Sequence, residues 1–254
     1  MSNEPAIPLT PLSQVTIAAK YCGPPQSANG GYTAGLLAKL IEGACSVTLR
    51  APPPLERALQ LSRSDDGNVS LHDKKTLLAD ARPTKIELVL PEPVSFDQAE
   101  RATLSYPGPH PHPYPGCFVC GPDRPHGDGL AIYPGPVEGR LDNVVAAPWL
   151  PTRELCSDGN VVDDEFIWAA LDCPSLFGYS MFEPEMPPVL LGRLAAEIKS
   201  RPARDARYVL VGWNVGRENR RIECGSMLLD ATHGDCLAIA FSTWVTLKPP
   251  IVPT

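Results

Sequence analysis

Asp163-Asp164-Glu165-Phe166-Ile167-Trp168-Ala169-Ala170-Leu171-Asp172-Cys173-Pro174-Ser175 is the stretch on which the reading of this chain turns. Phe166, Ile167, Ala170 and Leu171 recur at helical spacing, and three carboxylates lead in. Acidic residues are favoured in a first turn, where free N–H groups and the macrodipole present partial positive charge. The spacing predicts a helix beginning near Asp163, and one more apolar than a surface helix should be. Asp172 closes the run two residues before Pro174, which disfavours α geometry at Cys173 and predicts an end or a kink there. A carboxylate on a mostly buried helix is costly unless paired, hydrogen-bonded or protonated. Sites that accept this cost are often catalytic, because burial shifts the pKa toward chemical usefulness. The competing reading makes Asp172 a cap that accepts from Ser175 or its neighbours. The segment by itself leaves both open.

Working outward, residues 14–21 read as a first strand, followed by a loop through Cys22 to Ala28. From Asn29-Gly30-Gly31-Tyr32 a second helix is expected, because Tyr32, Leu36, Leu37, Leu40 and Ile41 repeat at helical spacing and Gly43 supplies a stop. Glycines are poor helix formers. A pair of them at a helix start fits a backbone that something must approach closely, since the first N–H groups of a helix form a ready anion site. The plainer alternative is a Ser/Asn N-cap with glycine in a tight turn. Strands are then expected at 45–51, 57–62, 69–72 and 76–90, with Asp65-Asp66-Gly67 as a hairpin turn. Ser95 and Gln98 have the spacing of a capping box.

Residues 106–116 hold five prolines and two histidines, a stiff linker that divides a first unit (1–106) from a second (117–254), with the boundary at 107–116. The second unit repeats the plan. Strands at 130–133 and 143–147 precede the helix from Asp163, and alternating runs follow at 189–198, 208–215, 221–229 and 237–247. In the last run Leu237, Ile239, Phe241, Thr243, Val245 and Leu247 share a face; Val209, Val211, Trp213 and Val215 do so in theirs. Each half therefore reads as a strand, an apolar helix and four antiparallel strands, an α+β plan in which the helix is what the sheet buries against.

Composition excludes several function classes. The 22 basic residues against 29 acidic ones leave a net charge of −7, with a pI near 5.3, whereas nucleic-acid binding needs clustered Lys and Arg. No apolar run approaches the ~18 residues of a membrane-spanning helix. Met1-Ser2-Asn3-Glu4-Pro5 lacks the basic start and apolar core of an export signal. Apart from Cys117 and Cys120 the eight cysteines are scattered, so reduced thiols in a cytoplasmic compartment are expected.

Three stretches together give the chain a resemblance to the hotdog-fold thioesterase superfamily in its double-hotdog form. Asn29-Gly30-Gly31-Tyr32 before an Ala/Leu-rich helix resembles the opening of the first unit of acyl-CoA thioesterases of that type. Cys117-Phe118-Val119-Cys120-Gly121-Pro122-Asp123 with Gly127-Asp128-Gly129-Leu130 resembles the opening of phenylacetyl-CoA-type and 4-hydroxybenzoyl-CoA thioesterase-like members. Trp168-Ala169-Ala170-Leu171-Asp172 resembles their central helix. The resemblance implies two antiparallel sheets, each curled around one helix, and hydrolysis of acyl thioesters, mostly of coenzyme A. It also implies His-Gly-Gly at a helix start, with an acid nine residues after the histidine and working from the partner unit.

Here the first half keeps Asn29, Gly30 and Gly31 but has Ala38 at the acid's place. The second half has Asp163, Asp164 and Glu165 in place of His-Gly-Gly but keeps Asp172. The resemblance therefore implies one composite site, with Gly30 and Gly31 as oxyanion donors and Asp172 as base or nucleophile. Asn29, Tyr32, Trp168, Arg193 and Thr243 are the expected substrate contacts, and the second site is expected to be dead. The expected ligand is an acyl-CoA, without cofactor, nucleic acid or membrane, and further pairing into a homodimer is consistent with exposed sheet surface. A non-catalytic acyl-thioester-binding protein is the alternative, with a hotdog hydratase or dehydratase behind it. Cys117-x-x-Cys120 near His110, His112 and His126 invites a zinc assignment. A closed site needs four ligands, usually from two paired clusters, and no second cluster is visible in the sequence, so no metal is expected.

Overall fold

The computed structural model describes residues 9–106, 112–183 and 186–247. Residues 107–111 of the expected linker, with His110, lie outside the described residues. The chain runs β1 (Leu9–Thr16), α1 (Gly30–Ala38), β2 (Cys45–Leu49), β3 (Ala58–Ser64), β4 (Val69–Asp73), β5 (Thr76–Pro83), α2 (Phe96–Thr103), β6 (Gly135–Pro136), β7 (Val145–Trp149), α3 (Asp164–Ser180), β8 (Val189–Ile198), β9 (Tyr208–Glu218), β10 (Arg221–Asp230) and β11 (Cys236–Thr246). All strands join one 11-stranded sheet in the order β1-β3-β4-β5-β2-β8-β11-β10-β9-β7-β6, and every pairing is antiparallel. The front and back halves of the sheet meet at β2 and β8, where Cys45 pairs with Ala196 and Thr48 with Arg193.

Most elements fall where the patterns place them, and the departures have physical causes. The first strand is Leu9–Thr16 rather than 14–21, and Ala19–Tyr21 is a single 3₁₀ turn. No strand forms at 130–133; the short β6 follows instead. The expected strand over 76–90 stops at Pro83, where proline has no N–H to extend a ladder. The Ser95–Gln98 capping box is present at the start of α2.

Helix α3 does not end at Pro174 but continues to Ser180. Proline removes the N–H that would bond Ala170 and crowds that carbonyl. Polar side chains support the adjacent carbonyls: Ser226 Oγ donates to Leu171 O at 2.7 Å and Ser175 Oγ to Asp172 O at 2.6 Å. Trp244 Nε1 and Ser242 Oγ in turn donate to Ser175 Oγ, at 3.0 and 2.8 Å. The backbone also closes in on the helix here. A Cβ on Gly212 of β9 would stand 1.9 Å from Pro174 O.

The face of β11 turned to α3 is the opposite of the one expected. Ala238, Ala240, Ser242, Trp244 and Thr246 are buried, and small Ala and Ser side chains let the helix lie close. Ile239, with Val209, Val211 and Trp213 of β9, packs instead into a second apolar cluster with Phe96 and Ala99 of α2. The central part of the sheet is thus buried on both faces, which period-2 alternation alone does not reveal.

Helices α1 and α3 cross in the centre and run in opposite directions. Added Cβ atoms show how close they are: at Gly31 one would meet Asp172 Cβ at 2.6 Å, and at Gly35 one would meet Glu165 Cα at 2.4 Å. Gly35→Ala therefore opposes two effects. Helix propensity gains about 1 kcal/mol, while overpacking of backbone against backbone costs about 1–3 kcal/mol or more. The clash has no flexible side chain to yield, so G35A is expected to lower Tm by several degrees in a thermal melt; an unchanged or raised Tm would contradict the close crossing.

Candidate active site

The crossing brings the two sequence signals together. Asn29 is the N-cap of α1: its Oδ1 accepts the N–H of Tyr32 at 2.8 Å, the bond that favours Asn there. Its Nδ2 is left to donate to Asp172 Oδ2 at 3.0 Å. The Gly31 N–H donates to the same oxygen at 2.9 Å. Both donors act across the interface between α1 and α3. The cap reading of Asp172 is thereby corrected, because Ser175 bonds the residue's backbone oxygen while the carboxylate turns to the other helix.

Asp172 is only 2% exposed. Its Oδ1 has no hydrogen-bond partner among the described residues. Burial raises its pKa from 3.8 to about 7; the bonds from Gly31 and Asn29 pull it down, and nearby Cys117 pushes it up. A carboxyl group in this range exchanges a proton near neutral pH.

Asp172 opens on a cavity of about 440 Å³. Leu49, Val189, Leu191 and Trp244 supply apolar wall, while Asn29, Gly30, Cys117 and Cys173 stand beside the acid. Gly30 carries the first helical N–H of α1, a group with no preceding turn to accept it. Arg50 is at the rim, its Nε 2.6 Å from Asp80 Oδ2. An apolar chamber with a few converging polar groups is the usual form of a small-molecule site.

The other expected contacts are elsewhere. Tyr32 stacks on Tyr21 at 4.2 Å and joins Phe118 and Phe166 in an aromatic cluster outside the cavity. Trp168 lines a different cavity of about 240 Å³ with Ala38, Asp164 and Arg201. Arg193 and Thr243 are register partners on the face of the sheet opposite Trp244, with Arg193 over the Phe241 ring at 5.7 Å. Neither lines the 440 Å³ cavity. Gly31 is also reassigned, since its N–H is engaged by Asp172 in this state.

Sequence reasoning missed Arg50, whose rim position depends on the β2–β5 pairing, and Cys173 as a neighbour of the CxxC turn. Cys117 and Cys173 sulfurs are 3.8 Å apart, and those of Cys117, Cys120 and Cys173 all lie within 4.8 Å of one another. Only its position next to Asp172 could have drawn attention to Cys173.

No family model matches the chain, and no curated protein matches it. Solved structures do. A hot-dog-fold protein of unknown function from Alicyclobacillus acidocaldarius is 13% identical, with a TM-score of 0.60 over 93% of each chain. An acyl-CoA thioesterase II of Mycobacterium marinum is 10% identical, with a TM-score of 0.59 over 96% of this chain and 97% of its own. The fold is the double hotdog. At such identities the likeness extends to architecture alone, and the full-length coverage on both sides makes it the architecture of the whole chain. No helix among the described residues is long and apolar enough to cross a membrane.

The raised pKa of Asp172 has a consequence for stability. Because the folded state holds the proton more tightly than the unfolded chain, it loses stability as pH rises from about 4 to about 7 and stays at the lower value above. The gap between 3.8 and about 7 corresponds to roughly 4 kcal/mol at most. Asp172→Asn keeps an acceptor for Gly31 and Asn29 but cannot ionise. D172N is expected to melt close to the parent near pH 4 and increasingly above it as pH rises, the gap levelling off beyond about pH 7; equal melting temperatures across that range would refute the buried, proton-retaining carboxyl.

Proposed function

We propose that the protein hydrolyses an acyl-CoA thioester at a single composite site, with the acyl group in the cavity between α1 and α3. One observation carries this reading: a buried carboxyl, one oxygen hydrogen-bonded and the other without a partner among the described residues, on a residue that lines an apolar chamber beside the N-terminus of the opposite helix. In this reading the thioester carbonyl accepts the Gly30 N–H, which stabilises the oxyanion as it forms. Asp172 Oδ1 accepts a proton from water while the water oxygen bonds the carbonyl carbon. The tetrahedral intermediate then expels the coenzyme thiolate by C–S cleavage, and the proton held by Asp172 passes to that thiolate or to solvent. A thiol has a pKa near 8.5, so the leaving group departs without a dedicated acid. One carboxylate is therefore enough.

The likeness to the M. marinum acyl-CoA thioesterase II supports the choice of coenzyme A as carrier, and Arg50 at the rim suits its phosphates. The chamber volume accommodates a phenylacetyl-sized aromatic group or a medium aliphatic chain. A panel of aromatic and aliphatic acyl-CoA substrates, read by release of free thiol, tests the activity directly. D172N is expected to lose roughly 10²–10⁴-fold in kcat with its fold intact, and kcat/KM of the parent is expected to rise to a plateau above about pH 7, as ionisation of Asp172 requires. Hydrolysis of no member of the panel, with acyl-CoA binding retained, would instead make this a non-catalytic thioester-binding protein.

Arg50→Ala separates carrier recognition from chemistry. It is expected to raise KM several-fold with kcat little changed, the pattern of a contact made equally in ground and transition states. An unchanged KM in R50A would remove Arg50 from the coenzyme's path.

A further inference from the structure

Cys117, Cys120 and Cys173 form a cluster that the thioesterase reading does not use. All three are buried, at 3%, 3% and 8% exposure. Cys117 and Cys120 lie in one tight turn, and Gly121 directly after it is sterically required: a Cβ there would stand 2.5 Å from Cys117 N, Cys117 O and Pro115 O. Cys173 arrives from α3. Its sulfur is 3.8 Å from that of Cys117, and the three sulfurs lie within 4.8 Å of one another.

A tetrahedral zinc ion with Zn–S near 2.3 Å sets its sulfurs about 3.8 Å apart. The Cys117–Cys173 separation already has that value, and the rest of the triangle needs a contraction of at most about 1 Å. Polar donors stand beside two of the sulfurs. Asn29 Nδ2 lies 4.0 Å from Cys117 Sγ. Nδ1 of His112 accepts the Tyr114 N–H at 3.1 Å, so the proton of the neutral ring is on Nε2, which stands 3.4 Å from Cys120 Sγ. Hydrogen bonds of this kind to ligand atoms are how proteins tune thiolate metal sites.

We propose that Cys117, Cys120 and Cys173 bind one thiophilic divalent ion of the zinc class. His112 supports the site through its hydrogen bond to Cys120. Three sulfurs leave a tetrahedral ion one position to fill, and the cluster borders the 440 Å³ cavity on the side of Cys117 and Cys173, so water or a cavity occupant completes the shell. Soft thiolate ligands select zinc over magnesium or calcium. This inference is independent of the thioesterase reading, because its readout is metal content.

The test uses the full chain, freed of any affinity tag, produced in zinc-supplemented cells and purified without chelator. Elemental analysis is expected to find about one zinc per chain. Replacement by Co²⁺ is expected to give intense thiolate-to-cobalt charge-transfer absorption. Cys173→Ser and Cys120→Ser are expected to lose both signals, while C236S, at a half-buried cysteine outside the cluster, keeps them. A parent chain that is metal-free as purified and, fully reduced, takes up neither Zn²⁺ nor Co²⁺ would overturn the proposal, whatever the variants do. So would a native Cys117–Cys173 or Cys117–Cys120 disulfide found by mass spectrometry in protein purified under nitrogen.

Discussion

Two hydrogen bonds onto one carboxylate oxygen hold the centre of this molecule together. The Gly31 N–H and Asn29 Nδ2 reach Asp172 Oδ2 at 2.9 and 3.0 Å, and neither can do so unless α1 and α3 touch at the backbone. That contact requires glycine at 31 and 35, where any side chain would collide with α3. The N-cap at Asn29 is part of the same arrangement: by spending its oxygen on Tyr32 it fixes its amide toward the acid. A buried charge is tolerable only when its polar neighbours are oriented beforehand, and here the orientation is built into the start of a helix. The free Oδ1 is what remains after that requirement is met. Asp172 lines the 440 Å³ cavity while its other oxygen holds the helix pair.

The elements that were legible in the sequence are those decided by local physics. The capping box at Ser95, the hairpin turn at Asp65-Asp66-Gly67, the start of α3 after Asp163 and strand β8 at Val189–Ile198 follow from propensity, capping and periodicity. The composite of Gly30-Gly31 with Asp172 comes instead from the hotdog resemblance, and in the structure the Gly31 N–H meets Asp172. What failed was information that resides in packing. Pro174 does not end its helix because Ser226 and Gly212 arrive from distant strands to support it, and Ser175 on the helix itself donates to Asp172 O. The face of β11 turned to α3 is the one with Ala238, Ala240 and Ser242, whose small side chains let the helix lie close. Thr243 and Arg193 were expected substrate contacts, yet alternation puts them on the side of the sheet away from Trp244. The CxxC turn lacked a second cluster in sequence; in space one further thiol, Cys173, comes to it through the helix crossing.

The two halves of the sheet create two comparable places for a site, and they differ in what the proposed hydrolysis would need. Both places have a cavity at the end of a crossing helix. In the larger, the opposing helix contributes an acid with a free oxygen, and the facing helix starts in Asn-Gly-Gly, whose N–H groups can be approached closely. In the smaller, the residue corresponding to the acid is Ala38, and the facing helix starts with Asp163, Asp164 and Glu165. These carboxylates stabilise the helix dipole, and a negatively charged start repels the oxyanion that a thioester carbonyl must become. Asp164 is moreover paired with Arg201, 2.8 Å away, and Glu165 with Lys39, 3.0 Å away. The residues that make the second place unsuited to the proposed chemistry are thus the same ones that give α3 an acidic, ion-paired start. In the proposed hydrolysis that start has no oxyanion to bind, and its ion pairs to Lys39 and Arg201 anchor the helix that carries the buried Asp172.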